Sequence, residues 1–93
     1  MSDWLITLED AFDTLKYYKS DDGSYIAEKI SKSQSRLQNR FVFADNVELV
    51  RDVCHQLRGY YRVKEMPQKY GLFWRERFAI YGIQNWADTL PEW

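Results

Sequence analysis

SYIAEKISKSQSRLQNRFVF, residues 24–43, is the stretch on which the fold turns. Lys29, Lys32, Arg36 and Arg40 recur in it at steps of three and four, which aligns them on one side of a helix. Ile26, Ile30, Leu37 and Phe41 form an apolar stripe at helical spacing, weakest in the middle at Ser33 and Gln34. With Ser24 as its cap, the stretch reads as a helix. Acids flank it in sequence: Glu9, Asp10 and Asp13 before, Asp45, Glu48 and Asp52 after. Oppositely charged rows on neighbouring helices set register. Each exposed pair contributes only about 0–1 kcal/mol, so the rows select a packing more than they strengthen it. The same cations left unpaired would suit a phosphate backbone.

Upstream, Thr7-Leu8-Glu9-Asp10 has the form of a capping box, and Leu5, Leu8, Phe12 and Leu15 follow it at 3-4-3 spacing. A first helix is expected over 7–19, ended by the turn composition of Ser20-Asp21-Asp22-Gly23-Ser24. Downstream, Asp45-Asn46-Val47-Glu48 opens a third helix with Val50, Val53, Cys54 and Leu57 as its stripe, and Gly59 is placed to end it in a left-handed conformation. Tyr60 to Lys64 alternates like a strand, and Met66-Pro67 breaks any helix. Trp74, Phe78 and Tyr81 favour a fourth helix over 72–84, while Leu72, Trp74, Phe78 and Ile80 also fit period two. The expected fold class is mainly α: one globular domain over 1–93, a small antiparallel bundle of three to four helices, with a minor β element near 41–43 and 60–64.

Composition narrows the function classes. With 93 residues, 45% hydrophobic and 17% aromatic, the chain has ample material for a core, which excludes global disorder. A net charge of −1 excludes a uniformly basic nucleic-acid binder. The charge is uneven, however. Residues 1–28 hold seven acids and two bases, residues 29–42 four bases and no acid, and residues 58–77 six bases and two acids. A single cysteine excludes an internal disulfide, no apolar run approaches the roughly 20 residues of a membrane span, and the acidic start lacks the basic opening of a secretory signal. A cytoplasmic location without membrane contact is expected.

No chemistry-bearing motif stands out. Cys54 and His55 are adjacent, and neighbouring helix positions point about 100° apart, which keeps them from converging as a catalytic pair. A core cysteine beside a surface histidine is the simpler assignment. Asp10, Asp13, Asp21 and Asp22 fall in a cap and a loop, and Asp21-Asp22-Gly23-Ser24 lacks the alternating oxygen ligands of a calcium loop. No catalytic residue, metal site or cofactor is therefore expected. Arg58, Arg62, Lys64, Arg75 and Arg77 are interleaved with aromatic rings, and Trp86 and Trp93 lie near one terminus, where partly exposed tryptophans serve as interface anchors. The expected function is a small non-enzymatic, regulatory protein-binding module of adaptor, inhibitor or immunity type, docking an acidic protein through residues 58–93. The alternative is an RNA- or single-stranded-DNA-binding protein using that segment together with Lys29, Lys32, Arg36 and Arg40. Oligomeric state leaves no signal in the sequence.

Overall fold

The first half of the chain is built of strands, not helices. The computed structural model describes residues 3–84 and 86. In it β1 (Asp3–Glu9), β2 (Asp13–Lys19), β3 (Tyr25–Ser31) and β4 (Arg36–Phe43) run as an antiparallel meander. Helix α1 (Asn46–Arg58), strand β5 (Arg62–Glu65), a 3-10 turn at Gln68–Tyr70 and helix α2 (Gly71–Ile80) follow. Strand β5 returns to pair antiparallel with β1, giving the sheet order β4-β3-β2-β1-β5.

The expected mainly-α helical bundle is thereby corrected to a five-stranded antiparallel sheet with two short helices. The first helix expected at 7–19 and the second across 24–41 are hairpins instead. The β element at 41–43 is the end of an eight-residue strand, and that near 60–64 is β5 at 62–65, so strand is the body of the fold and no minor addition. The third helix forms where expected. The fourth is shorter than 72–84, ending at Ile80.

The physical reason lies in the turns. Oδ1 of Asp10 accepts hydrogen bonds from the backbone N–H of Phe12 at 2.8 Å and of Asp13 at 2.7 Å. An aspartate satisfies free backbone donors equally well at a hairpin as at a helix start, so the apparent capping box is a turn. Gly23 takes φ +88° in the second hairpin, a conformation that favours glycine. In the third, Ser31 accepts from the backbone of Gln34 at 3.3 Å, and Ser35 sits at φ +52°. Between turns, strand register puts Ile6, Leu8, Leu15, Tyr17 and Ala27 on one face and Thr7, Lys16, Tyr18, Ile26 and Glu28 on the other. Because Ile26 and Ile30 occupy the second face, both faces carry apolar side chains, and their spacing of four imitates a helix. Phe12, assigned to a helical stripe, is 76% exposed between β1 and β2.

Helices cover the first face. Leu49, Val53 and Leu57 of α1 and Trp74 and Phe78 of α2 are buried in one cluster with Ile6, Leu8, Tyr17 and Val63. The Tyr17 hydroxyl donates to Oδ2 of Asp52 at 2.6 Å, tying β2 to α1, and burial together with that carboxylate holds the phenol far above its ordinary pKa. Helix α1 is capped as read: Oδ1 of Asp45 accepts from Glu48 N–H at 3.0 Å, and Oε2 of Glu48 accepts from Ala44 N–H at 2.9 Å. Gly59 ends it at φ −89°, not in the left-handed region expected. Cys54 is buried and His55 exposed; burial pushes the thiol up to about 11. Among the described residues no helix is long and apolar enough to cross a membrane.

Candidate functional site

Two features could engage another molecule: the outer edge of β4 and a cleft between the helices and one end of the sheet. Among the described residues strand β4 has a single neighbour, β3, and every one of its residues from Arg36 to Val42 is exposed. Leu37, Phe41 and Val42 are large apolar side chains among them, and the strand holds Arg36 and Arg40 but no acid. Phe43 anchors its far end, half-buried with its ring stacked on Tyr17 at 6.3 Å. A register shift interrupts pairing between Lys29 and Ile30. An exposed strand edge presents a row of backbone donors and acceptors, a template for another strand.

The cleft has a volume of about 290 Å³. Its floor is a cross-strand row, Asp3 opposite Lys19 opposite Tyr25, and its walls include Asn46, Leu49 and Val50 of α1, Tyr70, and Phe73 and Trp74 of α2. Asp3 accepts from the Tyr70 hydroxyl at 2.5 Å and from Nζ of Lys69 at 3.1 Å. These two bonds, the tyrosine's first, hold the Asp3 carboxyl below its ordinary pKa, and the same bond raises that of Tyr70. The Lys69 ammonium lies 4.9 Å from the Tyr70 ring centroid and that of Lys19 5.7 Å from Tyr25. The Trp74 indole N–H donates to the Leu5 carbonyl at 2.8 Å, and the buried side chain backs the cleft.

Comparison with protein-family models, curated proteins and solved structures gives no match.

The residues singled out from sequence are distributed as follows. Lys29 reaches Asp13 at 3.7 Å and Lys32 reaches Glu9 at 3.0 Å, so half of the basic row pairs with the acids expected to face it, across a sheet and not between helices. Arg36 and Arg40 lie on β4, where Arg40 stands opposite Glu28. Nη2 of Arg58 donates to the Tyr81 carbonyl at 3.0 Å. Arg62 and Lys64 are exposed on β5, with Arg62 opposite Glu9. Arg75 lies over Trp86 at 5.9 Å and Arg77 over Phe73 at 4.6 Å. Trp86 is half-buried, its ring 5.5 Å from Phe78. Trp93 lies outside the described residues. The fold thus brings Arg75 and Arg77 onto one helix and Arg62 and Lys64 onto one edge strand, two pairs in different layers.

Sequence reasoning missed both features. Leu37 and Phe41 were assigned to a core stripe, and Asp3, Lys19, Tyr25 and Tyr70 are too far apart in the chain to suggest a common site. Phe41-Val42-Phe43 carried the available signal, since branched and aromatic residues in series favour strand. Among the described residues no group of three or more His, Cys, Asp or Glu could hold a metal ion.

Proposed function

We propose that the chain is a small non-enzymatic protein-binding module that takes an extended, acidic segment of a partner protein as a sixth strand against β4. The observation that carries this reading is the contrast between β4, eight residues with Leu37, Phe41 and Val42 exposed, and the guarded edges usual in sheet proteins. Strand addition supplies affinity through main-chain hydrogen bonds and specificity through alternate side chains. Charge complementarity selects the partner: β4 holds Arg36 and Arg40 and no anion, so acids flanking an apolar segment meet these two arginines. A nucleic acid is less well served. Lys29 and Lys32 already face carboxylates, and the sheet face turned from the helices interleaves Lys16, Arg40 and Arg62 with Glu9, Glu28 and Glu65.

Two synthetic seven-residue peptides test it, one alternating Glu with Val and one alternating Lys with Val, titrated against the ¹⁵N-labelled chain. The acidic peptide should shift amides of residues 36–43 and bind about tenfold tighter than the basic one, a ratio of about 1.4 kcal/mol. Leu37→Glu with Val42→Glu, which repels an acidic segment, should abolish the shifts. No movement in 36–43 at millimolar acidic peptide overturns the proposal. Sedimentation showing a dimer that the same double substitution dissolves would make a second copy the occupant. Salt-sensitive retardation of single-stranded RNA would restore the nucleic-acid reading.

A further inference from the structure

The cleft is independent of β4, and its chemistry points elsewhere. Most of a ligand cleft is apolar, with a few placed polar groups that orient what enters. Here Leu5, Val50 and Phe73 supply the accessible apolar part, backed by buried Leu49 and Trp74. Phe73 packs edge to face on buried Trp74, their centroids 5.1 Å apart and their planes at 73°, and with Tyr25 and Tyr70 it gives the cleft three partly exposed rings. Aromatic rings pack on one another by offset stacking or edge-to-face contact, so walls of this kind favour a flat ring over a branched aliphatic group.

The floor decides the charge. Asp3 is already engaged by the Tyr70 hydroxyl and the Lys69 ammonium, which leaves that carboxylate compensated. Lys19 stands opposite Asp3 on the neighbouring strand, is exposed, and makes no ion pair among the described residues. Lys69, beside the cleft, and Lys19, which lines it, together outnumber Asp3 by one positive charge. We propose that this cleft binds a small flat aromatic anion, a one- or two-ring molecule bearing a carboxylate, with the ring between Tyr25, Tyr70 and Phe73 and the carboxylate on Lys19. The volume of about 290 Å³ lies at the small end of ligand clefts, near 300 Å³, which limits the ring count. Asn46, at the first turn of α1, adds a side-chain amide that donates to the same carboxylate.

The test uses three isosteres: 2-naphthoate, 2-naphthylmethanol and 2-naphthylmethylamine. Each is titrated into the ¹⁵N-labelled chain and followed at the amides of Lys19, Tyr25, Leu49 and Val50 and at the Trp74 indole N–H. Naphthoate should move these signals and bind about tenfold tighter than the alcohol, with the amine weakest, as expected for one charge-assisted contact near the surface. Lys19→Gln, at an exposed position, should bring naphthoate down to the alcohol's affinity, while Lys64→Gln on β5 should change nothing. Absence of shifts at millimolar naphthoate overturns the proposal. So does equal affinity for all three probes, or naphthoate binding that survives Lys19→Gln undiminished. Because β4 is not among the reporters, the outcome is separate from that of the peptide titration.

Discussion

Strands β4 and β5 occupy the two ends of one sheet, and they handle the same problem in opposite ways. Strand β5 is four residues long: Val63 enters the core, while Arg62, Lys64 and Glu65 face outward as charges, a common guard against unwanted pairing. The next residue, Met66, is buried and holds the strand close to the body. Strand β4 is twice as long, exposed along nearly all of it, and apolar at Leu37, Phe41 and Val42. A chain that guards one edge and leaves the other open has an asymmetry that stability does not require. The partner strand proposed above would give it a use.

The comparison can be broken most directly with two valines. Val63 is 0% exposed and Val42 69%. Val63→Ala should cost about 2 kcal/mol by lost burial and the cavity left behind. Val42→Ala should stay within about 0.5 kcal/mol. Urea denaturation of both variants checks this, and equal losses would mean that β4 is packed against something. Next in size is Tyr17→Phe in β2. It removes the hydroxyl from the carboxylate of Asp52, and loss of that charged partner should destabilise by about 1–3 kcal/mol by the same assay.

Two smaller effects sharpen the contrast. Ser35→Gly relieves a non-glycine residue at φ +52° in the turn that launches β4, and should stabilise by less than about 1 kcal/mol, seen as slower amide exchange in residues 36–43. The smallest effect is a pH dependence. Asp22, in the β2–β3 turn, has its carboxyl held at about 2 by the Ser20 hydroxyl and then by Ser24, below its ordinary 3.8. A depressed folded-state pKa adds stability that is complete above the unfolded value and disappears as pH falls through the folded one. The stability gap between the wild type and Asp22→Asn should therefore be flat from neutral pH down to about 4 and shrink below it. Acid titration followed by circular dichroism reads that gap.

Some of this architecture was legible. Asp45 and Glu48 cap α1 as their spacing says, and Val50, Val53, Cys54 and Leu57 all point into the core. Exposed His55 also sits as expected. The strands were hidden for a specific reason. Ile26 is 2% exposed on the face that lacks helices, beside Tyr18 and Val42, so the apolar pattern of β3 has no clean alternation. The irregular register between Trp4 and Ile6 likewise disturbs β1, placing three apolar residues in series. Hairpin turns built from Asp10 and Ser31 use the side-chain bonding that caps helices, and local sequence does not distinguish the two. The cleft was illegible because its floor joins Asp3, Lys19 and Tyr25 only once the meander has formed.

The order of strands along the chain has a consequence for how the protein is made. All four strands of the meander, residues 3–43, leave the ribosome before either helix does. Ile6, Leu8, Leu15 and Tyr17 then wait without cover until α1 and α2 have been synthesised, and β5 closes onto β1 across more than fifty intervening residues. Translation pauses or premature stops between Phe43 and Gly71 would release nascent sheets with a sticky apolar side, the species on which chaperones act.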